Sequence, residues 1–201
     1  MSDVVGVERK GQVVLITLNR PEARNAISPE MLVRLADAWT AVRDDPDIRV
    51  AVVTGAGDKA FCSGADLGRF IPLMSRARPP EDEWDRRLLA DGEMLGRGLL
   101  RTFDVVKPVI AAINGHAIAG GMELAQGTDL RVASESAKLG VQEVKWAIFP
   151  AGGSTVRLPR QIPYARAMEL LLTGDLITAA EALELGFLNR VVPQADVLPT
   201  A

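Results

Sequence analysis

Two carboxylates and three turns of small residues are the parts of this sequence that could do chemistry. In AINGHAIAGGMELAQGTDLRVAS, residues 112–134, an apolar run breaks at Asn114-Gly115, resumes, and meets Gly120-Gly121 just ahead of Glu123. With a strand before the glycines and a helix after them, Gly120 and Gly121 occupy a strand-to-helix turn. Lacking Cβ atoms, they let a ligand approach the backbone closely, and free N–H groups at the positive end of a helix suit an anion. A carbonyl oxygen gaining negative charge during reaction would be stabilised there, one such donor being worth ~3 kcal/mol of barrier. Glycines at such a turn also permit close strand–helix contact, and these residues alone leave both readings open. Glu123 has the apolar neighbours Met122, Leu124 and Ala125. It is either a favourable charge in a first helical turn, worth ~0.3–1 kcal/mol, or a partly buried group whose raised pKa suits proton transfer.

The second turn is AFCSGADL, residues 60–67, where Ser63-Gly64-Ala65 places small residues ahead of a helix and offers another backbone N–H donor; it is equally an ordinary turn. Cys62 or Ser63 as a nucleophile would need a base, and the single histidine, His116, lies in a different loop with no local signature joining them. The third region is LGVQEVKWAIFPAGGSTVRLPRQI, residues 139–162. Glu143 stands there among Leu139, Val141, Val144, Trp146 and Ile148, so it is functional or faces solvent from a half-exposed strand. Gly152-Gly153 opens a further helix and reads as close contact.

The chain that must position these groups has 201 residues, 48% hydrophobic and 24% charged, with a net charge of −3. That is the balance of one globular domain with a sizeable core, and it gives no sign of a nucleic-acid surface. One histidine and one cysteine exclude a multi-histidine metal site, a Cys-pair metal site and an internal disulfide. The start, MSDVVGVERK, lacks the apolar core of a secretory signal, and no apolar run spans a bilayer. A soluble, cytoplasmic protein without membrane insertion is expected.

VVLITLN (13–19) reads as a strand, SPEMLVRLADAWTAVRD (28–44) as a helix capped by Ser28 with Pro29 in its first turn, and VAVVTG (50–55) as a buried strand. Residues 69–91, with mixed charges and Pro79-Pro80, read as a solvated excursion. A helix is predicted over 83–104, weakened by Gly92, Gly96 and Gly98, then a strand at VIAAI (109–113). Helices are expected at 152–162, at 164–174 closed by Gly174, and at 178–186, where Thr178 and Glu181 form a capping box. NRVVP (189–193) is a last short strand. Strands alternating with helices predict α/β layers.

AFCSGADL, NGHAIAGGMELAQGTDLRVAS and GVQEVKW…FPAGGSTVRL, in this order and at these separations, resemble the enoyl-CoA hydratase/isomerase (crotonase) superfamily, from about Val13 to Val192. The resemblance implies one α/β domain over 1–201, a spiral of ββα units making two roughly perpendicular sheets surrounded by helices. It implies an oxyanion hole from the N–H groups of Ala65 and Gly120, and a catalytic pair, Glu123 and Glu143. Glu143 would give a proton to the α-carbon and Glu123 would orient and activate water. Substrate contacts are implied at Ser63, Gly64 and Gly121, at Ala23 and Arg24 in the early loop, and at Asp66 and Leu67 near the adenine end of coenzyme A. Lysines frequent in such proteins are replaced here by Glu22 and Gly68, with Arg24 or Arg69 as substitutes at the phosphates, and Ala147 replaces a glycine. His116 is expected to be non-catalytic, and 69–100 to line the acyl end of the pocket. The implied reaction is hydration of a 2-enoyl-CoA without metal or redox cofactor, coenzyme A being part of the acyl-CoA substrate. Its rivals are double-bond isomerisation and turnover-free acyl-CoA binding. A homo-oligomer, a trimer or dimer of trimers, is implied too, and the C-terminal helices usual in the family are expected to be absent.

Overall fold

The computed structural model describes residues 3–201. The chain starts with β1 (Val5–Lys10) and β2 (Val13–Leu18), an antiparallel pair closed at Gly11. Helix α1 (Pro29–Asp44) follows; the Ser28 hydroxyl accepts from the Met31 N–H at 3.2 Å, and the helix buries Met31, Leu32, Leu35 and Trp39. From there the strands come in pairs. β3 (Val50–Gly55) is followed at once by β4 (Ala60–Cys62), β5 (Val109–Ile113) by β6 (His116–Ile118), and β7 (Leu130–Ser134) by β8 (Lys138–Gly140). The first member of each pair joins a six-stranded sheet, in the order β1-β2-β3-β5-β7 and then the last strand, β10 (Arg190–Val192). The second joins a four-stranded sheet, in the order β4-β6-β8 and then β9 (Ile177–Thr178). Apart from the antiparallel pairs β1–β2 and β8–β9, the registers are parallel. This is a spiral of ββα turns, as the sequence leads one to expect.

The corners between sheets depend on close backbone approach. At Asn114-Gly115, a Cβ on Gly115 would lie 2.6 Å from the Lys59 backbone. The Asn114 side chain accepts from the Gly55 N–H at 3.0 Å and donates to the Gly57 carbonyl at 2.9 Å, so it ties one corner to its neighbour. The three-residue strands β4, β6 and β8 are not marked in the sequence, because so few residues hold no periodicity to read.

Between β4 and β5 the chain forms α2 (Phe70–Met74), α3 (Glu83–Ala90) and α4 (Met94–Gly98). The single helix expected over 83–104 is broken at 91–93, and α4 lies against α1 so closely that a Cβ on Gly98 would meet Leu32 at 2.5 Å. Much of 69–91 is exposed, as expected of a solvated excursion, but the segment is anchored. Asp85 is wholly buried and paired with Arg78, and the guanidinium holds its carboxyl down to about 2. Arg78 also donates to the Arg69 carbonyl at 2.7 and 3.0 Å, closing the segment on itself. Because both charges are satisfied, the α2 segment can serve as a fixed wall.

The later helices are α5 (Gly120–Gln126), α6 (Ser154–Gln161), α7 (Tyr164–Thr173), α8 (Ala179–Glu184) and α9 (Val197–Thr200). The expected capping box at Thr178 and Glu181 is formed, and Gly174 takes the left-handed position ending α7. Glu143 begins a one-turn 3-10 helix (Glu143–Trp146), where a half-exposed strand was one of the sequence alternatives.

Candidate active site

The site begins where three loops meet. Arg24 and Asn25 both take left-handed conformations (φ 53° and 56°). Their strain, of the order of 1–3 kcal/mol each, is offset by the wholly buried Asn25 side chain. It donates to the Ala56 and Ala60 carbonyls at 3.0 and 2.8 Å and accepts from the Arg20 N–H at 3.0 Å. The carbonyl of Arg24 then accepts from the Ser63 N–H at 3.1 Å. Next to this, Ile27 and Ala65 form a parallel bridge, in which the Ile27 N–H donates to the Gly64 carbonyl at 2.8 Å and the Asp66 N–H to the Ile27 carbonyl at 2.9 Å. Because successive N–H groups of an extended chain alternate in direction, the N–H of Ala65 faces away from Ile27.

Opposite it stands the turn into α5. Ala119 has φ 52° and ψ −123°, a conformation costly for a residue with a side chain. It is pinned by its own N–H, which donates to the Gly140 carbonyl at 2.9 Å, and by its carbonyl, which accepts the first helical bond from Glu123 at 2.9 Å. Gly64 (φ 95°) lets the two loops touch: a Cβ on it would lie 2.8 Å from the Ala119 Cβ and 3.2 Å from the Gly120 nitrogen. Among the described residues, neither the Ala65 nor the Gly120 N–H donates to a protein acceptor. Two such donors converging on one space can hold an oxyanion.

That space is a cavity of about 630 Å³ lined by both residues, by Ala23, Arg24, Ser63, Asp66 and Leu67, and by the carboxylate-bearing Glu123 and Glu143. Phe70, Ile71, Met74, Leu95 and Leu99 supply an apolar wall, so the 69–100 segment does line it. Its size and mixture of apolar wall and few polar groups suit a small-molecule site. Gly64 and Gly121 do not line it. Gly121 is buried, and a Cβ there would sit 2.2 Å from the Cys62 carbonyl oxygen, so its smallness serves contact between α5 and β4. The two readings that the glycine pair left open thus divide between its members: Gly120 faces the cavity and Gly121 the protein.

The carboxylates differ in their surroundings. Glu123 (3% exposed) accepts from the Gly152 N–H at 2.9 Å and the Ser154 N–H at 3.1 Å. Burial pushes its pKa up, and these donors to the charged form oppose the push. Glu143 (8% exposed) has an Oε2 with no partner. Burial, reinforced by the nearby Glu123 charge, raises it to about 7. Near neutral pH the Glu143 carboxyl can therefore hold a proton. Glu123 further depends on α5 being held at its far end, where the buried Arg131 donates to the Ala125, Thr128 and Phe187 carbonyls at 2.7, 2.7 and 3.0 Å. Nothing at the sequence level marked Arg131 or Asn25, since their partners are backbone groups fixed only by the fold.

The remaining side chains are occupied otherwise. The Cys62 thiol is buried and pushed up to about 12, unsuited to attack. His116 Nδ1 accepts from the Lys138 N–H at 3.1 Å between β6 and β8, a structural role. Arg69 is paired with Glu81 and Asp82 at 3.0 and 2.7 Å on the protein surface. Asp66 bonds Arg20 at 2.9 Å and accepts from the Gly68 and Arg69 N–H groups, which holds the cavity rim in place. Among the described residues no group of His, Cys, Asp and Glu side chains is arranged to hold a metal ion, and no helix is long and apolar enough to cross a membrane.

Comparison with known proteins agrees with this geometry. The family described as enoyl-CoA hydratase/isomerase matches residues 8–201. An enoyl-CoA hydratase of Mycobacterium tuberculosis is 49% identical over 195 residues, covering 97% of this chain and 70% of that protein. An (E)-benzylidenesuccinyl-CoA hydratase of Thauera aromatica is 46% identical over 188 residues, 94% of this chain and 69% of the relative. The solved structure of a carnitinyl-CoA dehydratase from Mycobacterium avium superposes with a TM-score of 0.86 at 41% identity, over 99% of this chain and 73% of that one. The fold is of the crotonase class. The chain belongs to the enoyl-CoA hydratase/isomerase family.

Proposed function

We propose that this protein is an enoyl-CoA hydratase, adding water across the double bond of a 2-enoyl-CoA to give a 3-hydroxyacyl-CoA. One observation carries the reading: two N–H groups without protein acceptors among the described residues open onto a cavity that also holds two buried carboxyls in different surroundings. The relatives named as CoA-ester hydratases support the same reaction. The Ala65 and Gly120 N–H groups receive the thioester oxygen. Water oxygen bonds to the β-carbon as its proton passes to Glu123, and the displaced π electrons collect on the thioester oxygen as an enolate held by the two donors. Those electrons return to form the α-carbon–hydrogen bond as Glu143 gives up its proton. Glu123 is then neutral and Glu143 anionic, and proton exchange with water restores the starting pair. Arg24, exposed at the rim and without an ion-pair partner among the described residues, is the cation we assign to the coenzyme A phosphates. Coenzyme A enters with the substrate, and the mechanism calls for no separate cofactor.

The test is loss of the conjugated-thioester absorbance of crotonyl-CoA. Wild type is expected to consume it and Glu123→Gln to fall by ~10²–10⁴-fold. Calorimetric binding of crotonyl-CoA without turnover would replace the reading with acyl-CoA binding alone. Conversion of a 3-enoyl-CoA to the 2-enoyl isomer without hydration would replace it with isomerisation, for which one carboxylate suffices. We infer in addition that the protein assembles as a homotrimer. The exposed apolar Val156, Tyr164 and Leu172, on α6 and α7 and outside the cavity lining, support assembly, being surface that a partner would cover. Light scattering is expected to give three times the chain mass, and a monodisperse monomer would overturn it.

A further inference from the structure

Three tryptophans, five phenylalanines and one tyrosine are the aromatic residues of the chain, and three of these nine, Phe70, Trp146 and Phe149, line the one cavity that holds both glutamates. Trp39, Phe61 and Phe187 are instead buried in the core, and arginines lie over Trp84 and Phe103. Trp146 and Phe149 are 63% and 69% exposed, and among the described residues no arginine lies over either ring. Their backbone is nevertheless well held. Trp146 ends the 3-10 turn that Glu143 begins, and Ala147 (φ 53°) folds the chain back so that the Ile148 N–H donates to the Glu143 carbonyl at 3.0 Å. The Gln142 amide donates to the Gly174 carbonyl at 3.3 Å and Lys145 pairs with Asp175 at 2.8 Å, which ties the turn to the end of α7. Both rings thus belong to the same tied-down unit as the carboxyl assigned to the α-carbon. Charge in the cavity is one-sided. Its charged lining residues are Arg24, Asp66, Glu123 and Glu143; Arg24 is exposed at the rim, and Asp66 is paired with Arg20 at 2.9 Å. Among the described residues the wall around the two glutamates carries no cation.

We propose that the acyl group this site takes is uncharged and ends in an aromatic ring, laid against Trp146 and Phe149. The inference rests on the reading of the cavity as an acyl-CoA site and names the acyl group which that reading leaves open. Ring against ring gains more than the apolar area alone would give, and a rigid ring gives up less freedom on binding than a flexible alkyl chain does. An acyl carboxylate would be buried beside Glu123 with no cation to meet it, which lost hydration and like-charge repulsion both oppose. A quaternary ammonium group would suit the rings, but it would hold Glu143 ionised and so remove the proton that the α-carbon needs.

Calorimetric binding of saturated acyl-CoAs is the test, because it reads the acyl site without requiring turnover. 5-Phenylpentanoyl-CoA is expected to bind about tenfold more tightly than nonanoyl-CoA, a linear ester of comparable apolar area. Glutaryl-CoA should bind about a hundredfold more weakly than pentanoyl-CoA, its counterpart without the second carboxylate. Trp146→Leu combined with Phe149→Leu keeps the wall apolar and should erase the advantage of the phenyl ester over the linear one. Both side chains are exposed, so the fold should survive the change, and circular dichroism checks that it does. Equal affinity for the phenyl and linear esters would overturn the aromatic assignment, as would an advantage that persists in the folded double variant. Glutaryl-CoA bound as well as pentanoyl-CoA would overturn the exclusion of charge, and so would 4-(trimethylammonio)butanoyl-CoA bound as tightly as the phenyl ester. Failure of the hydratase reading looks different: crotonyl-CoA would go unchanged while the order of affinities stood. Binding of none of these esters would remove the acyl-CoA site and this inference together.

Discussion

Glu143→Gln is expected to abolish hydration and at the same time to stabilise the protein above neutral pH. The activity loss follows from removing the proton given to the α-carbon while shape is kept, a change of ~10²–10⁴-fold if general acid catalysis contributes its usual share. The gain in stability follows from burial. The Glu143 carboxyl is raised from 4.5 to about 7 in the folded protein. Between those values the folded state binds more protons than the unfolded chain, so stability falls as pH rises. The full native stability is present below about 4.5 and is progressively lost up to and beyond pH 7, by on the order of 3 kcal/mol for a shift of this size. Glutamine is neutral throughout and escapes that loss. Thermal midpoints at pH 4.5 and pH 8 measure it: variant and wild type should agree at the lower pH and diverge at the higher. Equal midpoints at pH 8 would mean that the ionised carboxylate is not desolvated. The same group sets the basic limb of the wild-type profile, with kcat/KM declining above about 7.

The elements that the sequence marks clearly are those whose signals are local. Ser28, Thr178 with Glu181, and Gly174 act within one turn of where they stand, and each caps its helix as expected. The central strands VVLITL, VAVVTG and VIAAI have enough apolar length to be read. What the sequence hid depends on partners far along the chain. Asn25 and Arg131 bond backbone carbonyls up to 35 and 56 residues away. The break at 91–93 comes from α4 settling on α1, and the closed ring of Arg69, Arg78 and Asp85 turns a charged, proline-bearing stretch into a cavity wall. The two glutamates were visible as carboxylates in apolar company. Their different surroundings were not, because the Gly152–Ser154 turn reaches one of them and nothing reaches the Oε2 of the other.

Gly120→Ala and Gly121→Ala, one residue apart, should fail for opposite reasons. At position 120 the new methyl would meet the end of the Ile27 side chain at 3.3 Å, the Gly64 Cα at 3.6 Å and the Ala65 nitrogen at 3.7 Å. The first contact is tight, but the tip of an isoleucine can yield by a few tenths of an ångström, so the fold should survive. The methyl nevertheless occupies the space between the two N–H groups, where the thioester oxygen has to sit. Turnover should fall by ~10²–10³-fold, the cost of losing a donor of an oxyanion hole, with a thermal midpoint near wild type. At position 121 the methyl would lie 2.2 Å from the Cys62 carbonyl oxygen and 2.9 Å from its carbon. That is backbone, and it cannot retreat without carrying Ser63, Gly64 and Ala65 with it. Overpacking of this kind costs ~3 kcal/mol or more, which in a domain of this length lowers the midpoint by about 10 °C. Circular-dichroism melts and crotonyl-CoA turnover on both variants separate the cases. Full activity in a folded Gly120→Ala would place the oxyanion elsewhere, and a stable but inactive Gly121→Ala would mean that this glycine meets the substrate after all.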